Sequence, residues 1–147
     1  MSSQDILSIK VFGEYKGGFK VEVKAGGFKV IVDEPEDIGG SNSGPNPVQY
    51  LLVSLIGCLA ITTAYYSRLR NIKIEELNME AEGQLDLRGF RGEDHVRPGL
   101  SEIVVKVRVK SDADEKKVME LIKEAEEHCP IRDTIVNGCK VTLKIES

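Results

Sequence analysis

Positive charge is in short supply along this chain. Lysine and arginine number 20 against 24 aspartates and glutamates, giving a formal net charge of −4 and a pI near 5.3. The lysines alternate with glutamates rather than clustering, so the basic footprint of a nucleic-acid binder is absent. Metal-ligand spacing is missing too: with three cysteines and two histidines in all, the sequence has no C-x-x-C and no H-x-x-x-H, which argues against zinc. The glycine cluster Gly39-Gly40-Ser41-Asn42-Ser43-Gly44 lacks the Gly-Lys-Ser/Thr ending of a phosphate loop and the Rossmann spacing, so it reads as a plain loop. The opening Met1-Ser2-Ser3-Gln4-Asp5 has neither a basic nor an apolar leader pattern. An odd cysteine count also fits a reducing compartment better than a secreted disulfide scaffold, and a cytoplasmic protein is expected. Tryptophan is absent while Lys, Glu and Val are common, a composition like that of heat-adapted proteins.

What is present suits one globular domain over residues 1–147, with a hydrophobic content of 41% and no internal repeat. A first strand is expected over about Leu7 to Phe12, followed by a glycine turn at Glu14 to Gly18. Phe19, Val21 and Val23 then alternate with lysine and glutamate, and Phe28, Val30 and Val32 resume the pattern after Gly26-Gly27, so each strand is expected to have one dry face. Pro35 to Pro47 reads as a loop. Asn46-Pro47 is a strong helix start, with Asn as cap and Pro at the first helical position.

The helix expected from there to about Arg70 has no charged residue between Val48 and Ser67. Such a length is enough to span a bilayer. Gln49, Ser54, Gly57, Thr62 and Thr63 interrupt it, and the half-polar strands around it need a soluble sheet, so burial inside a protein is the preferred reading. One sheet covers one side. A second subunit is the simplest cover for the other, which makes a homodimer the expected assembly. Two further strands are expected through Leu77 to Leu87 and Ile103 to Val109, flanking a charged loop from Gly89 to Gly99. A surface helix should follow from Ser111 or Asp112 to Glu127, then a short helix over Ile131 to Val136. A last strand is expected to turn Cys139, Val141, Leu143 and Ile145 to one apolar face.

The chemistry rests on two cysteines in unlike settings. Cys58 lies in the apolar helix, in line with Leu51, Leu55, Thr62, Tyr65 and Leu69. Cys129 lies in His128-Cys129-Pro130-Ile131-Arg132, where one helix ends and another begins. A cap position would lower the Cys129 pKa through unpaired amides and the helix dipole, with Arg132 adding charge and His128 serving as a proton partner. The alternative is that Cys129 is a small apolar cap, and that Cys58 and Cys139 simply pack.

Element order and motifs together resemble the OsmC/Ohr family of osmotically inducible and organic-hydroperoxide-resistance proteins. The matching pieces are Gly44-Pro45-Asn46-Pro47 leading into Leu51-Leu52, Gly57-Cys58-Leu59-Ala60 within the helix, and His128-Cys129-Pro130-Ile131. The resemblance implies an α+β fold of order βββαββα(short α)β, with antiparallel sheet on a long buried helix and an intertwined homodimer with active sites at the subunit interface. It further implies a peroxidatic Cys58, a resolving Cys129, a small-molecule peroxide as substrate and a dithiol such as a lipoyl group as reductant, with no bound cofactor. Leu55, Leu59 and Tyr65 around Cys58 would favour an organic hydroperoxide over hydrogen peroxide.

Two departures from the family pattern stand out. Val48 occupies the place where its peroxidases usually carry Glu, and the first hairpin offers only Lys16 and Lys20 where they present Arg. Lysine supplies charge without the planar fork. Lys20 alternates away from Phe19 and Val21, so Lys16 is the better-placed cation. These departures leave an alternative: a non-catalytic dimer that binds a small apolar ligand or acts as a redox sensor.

Overall fold

The structure is a computed structural model that describes residues 5–146. The chain divides after Leu51 into two compact units. In the first, strands β1 (Val11–Gly17), β2 (Lys20–Ala25) and β3 (Phe28–Val32) form an antiparallel meander in that spatial order. The Gly26-Gly27 turn falls where alternation places it, with Ala25 paired to Phe28. β1 sits later than the expected Leu7 to Phe12. Gly17 and Gly18 both have positive φ (100° and 57°), so the tight turn comes after Gly17, and the pairing of Gly17 with Lys20 fixes the register back to Val11. β1 is exposed at every position.

The segment between β3 and the long helix is held from within. Asp33 is almost wholly buried. Its carboxylate accepts five hydrogen bonds, from the backbone N–H of Glu34 (2.8 Å), Ser41 (3.4 Å) and Ser43 (3.1 Å) and from the hydroxyls of Ser41 (2.5 Å) and Ser43 (2.6 Å). These donors hold its pKa far below the usual carboxylate range, the two serine hydroxyls contributing most. Gly40 is required here: a Cβ on it would lie 1.8 Å from the Glu34 carbonyl oxygen. The Asp33 N–H donates to the Pro45 carbonyl, and the Tyr50 hydroxyl donates to the Ile31 carbonyl at 2.6 Å. This hydrogen bonding ties β3 to the first turn of helix α1 (Pro47–Leu69). Asn46 caps α1 reciprocally with Gln49: Oδ1 accepts from the Gln49 N–H at 2.8 Å, and the Asn46 N–H donates to Gln49 Oε1 at 2.9 Å.

In the second unit, β4 (Ile74–Leu85) pairs antiparallel with β5 (Leu100–Ser111). Leu77, Met79 and Ala81 alternate with exposed polar residues, as their period requires. Leu87 leaves the strand for a four-residue helix, α2 (Leu87–Phe90), because Asp86 caps it and its carboxylate grips the Arg88 guanidinium. Helix α3 (Glu115–Glu127) starts later than expected. Ser111 stays in β5, and Asp114 is the cap, accepting from the Lys117 N–H at 2.9 Å. Leu121 and Ala125 are its buried residues. Helix α4 (Pro130–Asn137) follows at once.

The last expected strand is not formed: residues 139–146 have no strand pairing, and Val141, Leu143 and Ile145 are exposed. Cys139 is exposed as well, so its expected apolar setting does not hold. An alternating segment without a neighbouring strand has nothing to hold it in register.

The long helix is likewise buried on one side only. Leu55, Leu59, Thr63 and Ser67 form the buried stripe, while Leu51, Val53, Ile61, Tyr65 and Leu69 face solvent. α1 is the one helix among the described residues long and apolar enough to cross a membrane. Two of its four buried positions carry hydroxyls, whose needs are met within the helix: Thr63 donates to the Leu59 carbonyl and Ser67 to the Ala64 carbonyl.

Candidate functional site

Leu55 and Leu59 of α1 pack with Cys129, and Cys58, Met79, Ile103, Val105, Ile131 and Ile135 close around them. The fold therefore brings Cys58 and Cys129 into one apolar cluster, although they lie in different helical segments far apart in sequence. All three cysteines are reduced. Cys58 packs against the cluster that holds Cys129. Its sulfur is also 4.0 Å from Thr62 Oγ1, one helical turn on.

The two thiols differ in access. Cys129 is fully buried, whereas Cys58 is half-buried. Cys129 is the cap residue of α4, as the Cys-Pro step predicts, and its sulfur accepts from the Arg132 N–H at 3.4 Å. The expected lowering of its pKa does not follow. Burial pushes the thiol up and outweighs the Arg132 amide, and the neighbouring Cys58 pushes it further. A cap amide stabilises a thiolate, but removing a compact anion from water costs more than one N–H···S contact returns. Cys129 is thus held as a neutral thiol.

His128 and Arg132 flank this thiol in sequence but are committed elsewhere. His128 Nδ1 lies 2.8 Å from the Glu124 carbonyl, and its ring packs on Tyr66 with centroids 5.3 Å apart. The Arg132 guanidinium meets Glu126 through Nε at 3.2 Å, so its backbone amide, not its charge, serves Cys129. Lys16 and Lys20 belong to the first unit; Lys16 Nζ is 3.1 Å from Glu14 Oε1. Their place beside a thiol stays an expectation.

Sequence reading placed Thr62 in line with Cys58 but passed over Glu126. Glu126 was hidden in the charged face of a surface helix; Thr62, one turn beyond Cys58 at i+4, was readable from helical spacing alone.

An apolar cluster holding two thiols, one buried and neutral and one partly accessible, has the parts for a disulfide formed through a two-electron oxidation. The comparisons with known proteins agree with this family of folds. The OsmC-like protein family model matches residues 40–144. Among curated proteins, none matches the chain in sequence. An OsmC-like protein from Mycoplasma pneumoniae superposes with a TM-score of 0.76 at 21% identity, over 88% of each chain. The organic hydroperoxide resistance protein OhrB of Bacillus subtilis does so with a TM-score of 0.57 at 22% identity, over 87% of this chain and 90% of its own. The organic hydroperoxide resistance protein OsmC from Legionella pneumophila gives 0.63 at 18% identity, over 88% and 90%. The family match spans most of the sequence, and the fold is shared along nearly all of it: this chain belongs to the OsmC-like protein family.

Proposed function

We propose that the chain is a thiol peroxidase of the cytoplasm, acting on organic hydroperoxides or hydrogen peroxide through a Cys58–Cys129 disulfide. The observation that carries this reading is the asymmetric pair itself. Cys58 is reachable from solvent and attacks the distal peroxide oxygen as a thiolate. The O–O bond breaks, an alkoxide leaves and takes up a proton as the alcohol, and Cys58 becomes a sulfenic acid. Cys129, protected in the core, then attacks the sulfenic sulfur, and the disulfide forms as water departs. A dithiol returns both sulfurs to thiols by exchange. The apolar wall of Leu55 and Leu59 favours an alkyl peroxide. Lys16 or Lys20 supplies the cation beside the thiolate in place of the family's Arg. The hydroperoxide-resistance names of two fold relatives agree with this chemistry.

The working form is a homodimer. The exposed apolar side of α1, the bare β1 and the unpaired alternating tail at residues 139–146 are three surfaces that a second copy would cover. Thiol titration tests the chemistry: about one equivalent of cumene hydroperoxide should consume two thiols per chain, with Cys58–Cys129 as the bridged peptide. Slow oxidation without that stoichiometry would sink the peroxidase reading. Light scattering at micromolar concentration tests the assembly, and a folded monomer would refute it.

A further inference from the structure

Beside the thiol cluster, and sharing Leu55 and Leu59 with it, lies a cavity of about 420 Å³ that neither cysteine lines. Its size falls within the roughly 300–1,000 Å³ typical of small-molecule sites. The walls are aliphatic: Leu55 and Leu59 come from α1, Ile103, Val105 and Val107 from β5, and Ile135 from α4. Two charged residues also line it, Glu126 and Arg132, and they are paired with each other. Only Nε of Arg132 meets the Glu126 carboxylate, at 3.2 Å; the Nη groups have no partner among the described residues. Both side chains are partly exposed, 51% for Glu126 and 39% for Arg132, so their pair is weak enough for a second anion to share the guanidinium.

We propose that this cavity binds an aliphatic monocarboxylate, its hydrocarbon chain against Leu55, Leu59, Ile103, Val105 and Ile135 and its carboxylate on the Nη groups of Arg132. An aliphatic ligand fits because the wall contains no aromatic ring and, with the Thr63 hydroxyl spent on the Leu59 carbonyl, offers its charged contacts at one place. A carboxylate fits because a guanidinium with both Nη groups unspent presents a planar fork that a hydroxyl cannot fill. No sulfur takes part in the site, although it shares Leu55 and Leu59 with the wall proposed for the peroxide.

Calorimetric titration of the full chain, reduced and at low salt, tests the assignment with octanoate, decanoate and decanol. Each methylene buried should tighten binding about fourfold, so decanoate should exceed octanoate by roughly an order of magnitude. Decanoate should exceed decanol by about tenfold. Arg132→Gln, which keeps the backbone amide on Cys129, should bring decanoate down to the level of decanol, and Glu126→Gln should tighten decanoate by releasing the guanidinium. No variant is needed for the first two comparisons, so a misfolded mutant does not protect the idea. Equal affinity for octanoate and decanoate, or for decanoate and decanol, overturns it. So does a chain that scatters as a dimer and takes up no decanoate, which would mean that a second copy closes the cavity.

Discussion

Asp33 and Cys129 are both buried ionisable groups, yet one is held charged and the other neutral. The difference lies in the donors around them. Five hydrogen bonds converge on the Asp33 carboxylate from a loop folded for that purpose. Cys129 sits among Leu55, Leu59 and Ile135, and the contact its sulfur accepts at its cap is from the Arg132 amide. Burial alone therefore does not decide ionisation; the count of aligned N–H and O–H groups does. In the first unit the charge is structural, tying β3 to the start of α1. In the second, withholding charge keeps Cys129 a neutral thiol within the apolar cluster.

The largest expected effect breaks the thiol half of this contrast. Cys58→Ser should abolish peroxide turnover, a loss of roughly a hundredfold or more, because the other thiol of the cluster, Cys129, is buried and neutral. Cys129→Ser should still undergo one round of oxidation, stop at the sulfenic acid and fail to bridge. Dimedone labelling of Cys58 in that variant checks the sequence of events. Full turnover by Cys58→Ser would show that the roles are misassigned. Cys139 is exposed, so its oxidation state in trapped peptides is a control: a Cys58–Cys139 or Cys129–Cys139 bridge as the main product would mean the wrong sulfurs have been paired.

Next in size is Asp33→Ala, which strands five donors in the loop before α1. Its thermal midpoint should fall clearly below that of the parent, with new proteolytic cleavage within residues 33–46. Asp33→Asn should be milder but still destabilising, since an amide presents N–H groups to at least one of the serine donors. Parent-like stability in both variants would show that the loop holds without its centre.

The sequence displayed some of this and hid the rest. The α1 cap, the Gly26-Gly27 hairpin, the β4 and β5 alternation and the Cys-Pro cap of α4 were legible because each is a local pattern with one physical solution. Asp33 was unread because its partners lie up to ten residues away, and nothing in Ser41 or Ser43 signals that both hydroxyls turn inward. The choice between a charged and a small apolar cap at Cys129 was open for a similar reason: its cap position is local, while its desolvation depends on α1 and the strands. Of the stripe expected through Leu51, Leu55, Cys58, Thr62, Tyr65 and Leu69, Leu55 is buried, and the rest of the buried stripe lies at Leu59, Thr63 and Ser67, because a helix apolar all round gives no moment by which to choose its buried face.

Acid and alkali should separate the two groups. Asp33 has its folded pKa lowered, so its contribution is complete above about pH 4 and fades as pH falls toward the depressed value. Cys129 has its folded pKa raised, so its contribution is complete below about pH 9 and is lost as pH climbs through the raised value. Thermal midpoints across pH should show Asp33→Asn flattening the acid limb alone and Cys129→Ala flattening the alkaline limb alone. A shared effect on both limbs would refute the assignment.

The smallest expected effect concerns Gly57, the neighbour of Cys58. A Cβ on Gly57 would meet nothing within 4 Å, and its backbone is already helical. In a single chain Gly57→Ala should therefore stabilise α1 by about 0.5–1 kcal/mol, the usual difference between the two residues inside a helix. A second copy seated on the exposed side of α1 reverses the sign, because a glycine kept at a helix contact lets another backbone approach. Urea titration at several protein concentrations reads both quantities at once. A gain independent of concentration would leave this side of α1 facing water and remove the support it lends to the dimer. A loss that grows as the midpoint becomes concentration-dependent would place Gly57 in the contact, next to the thiol that the dimer would serve.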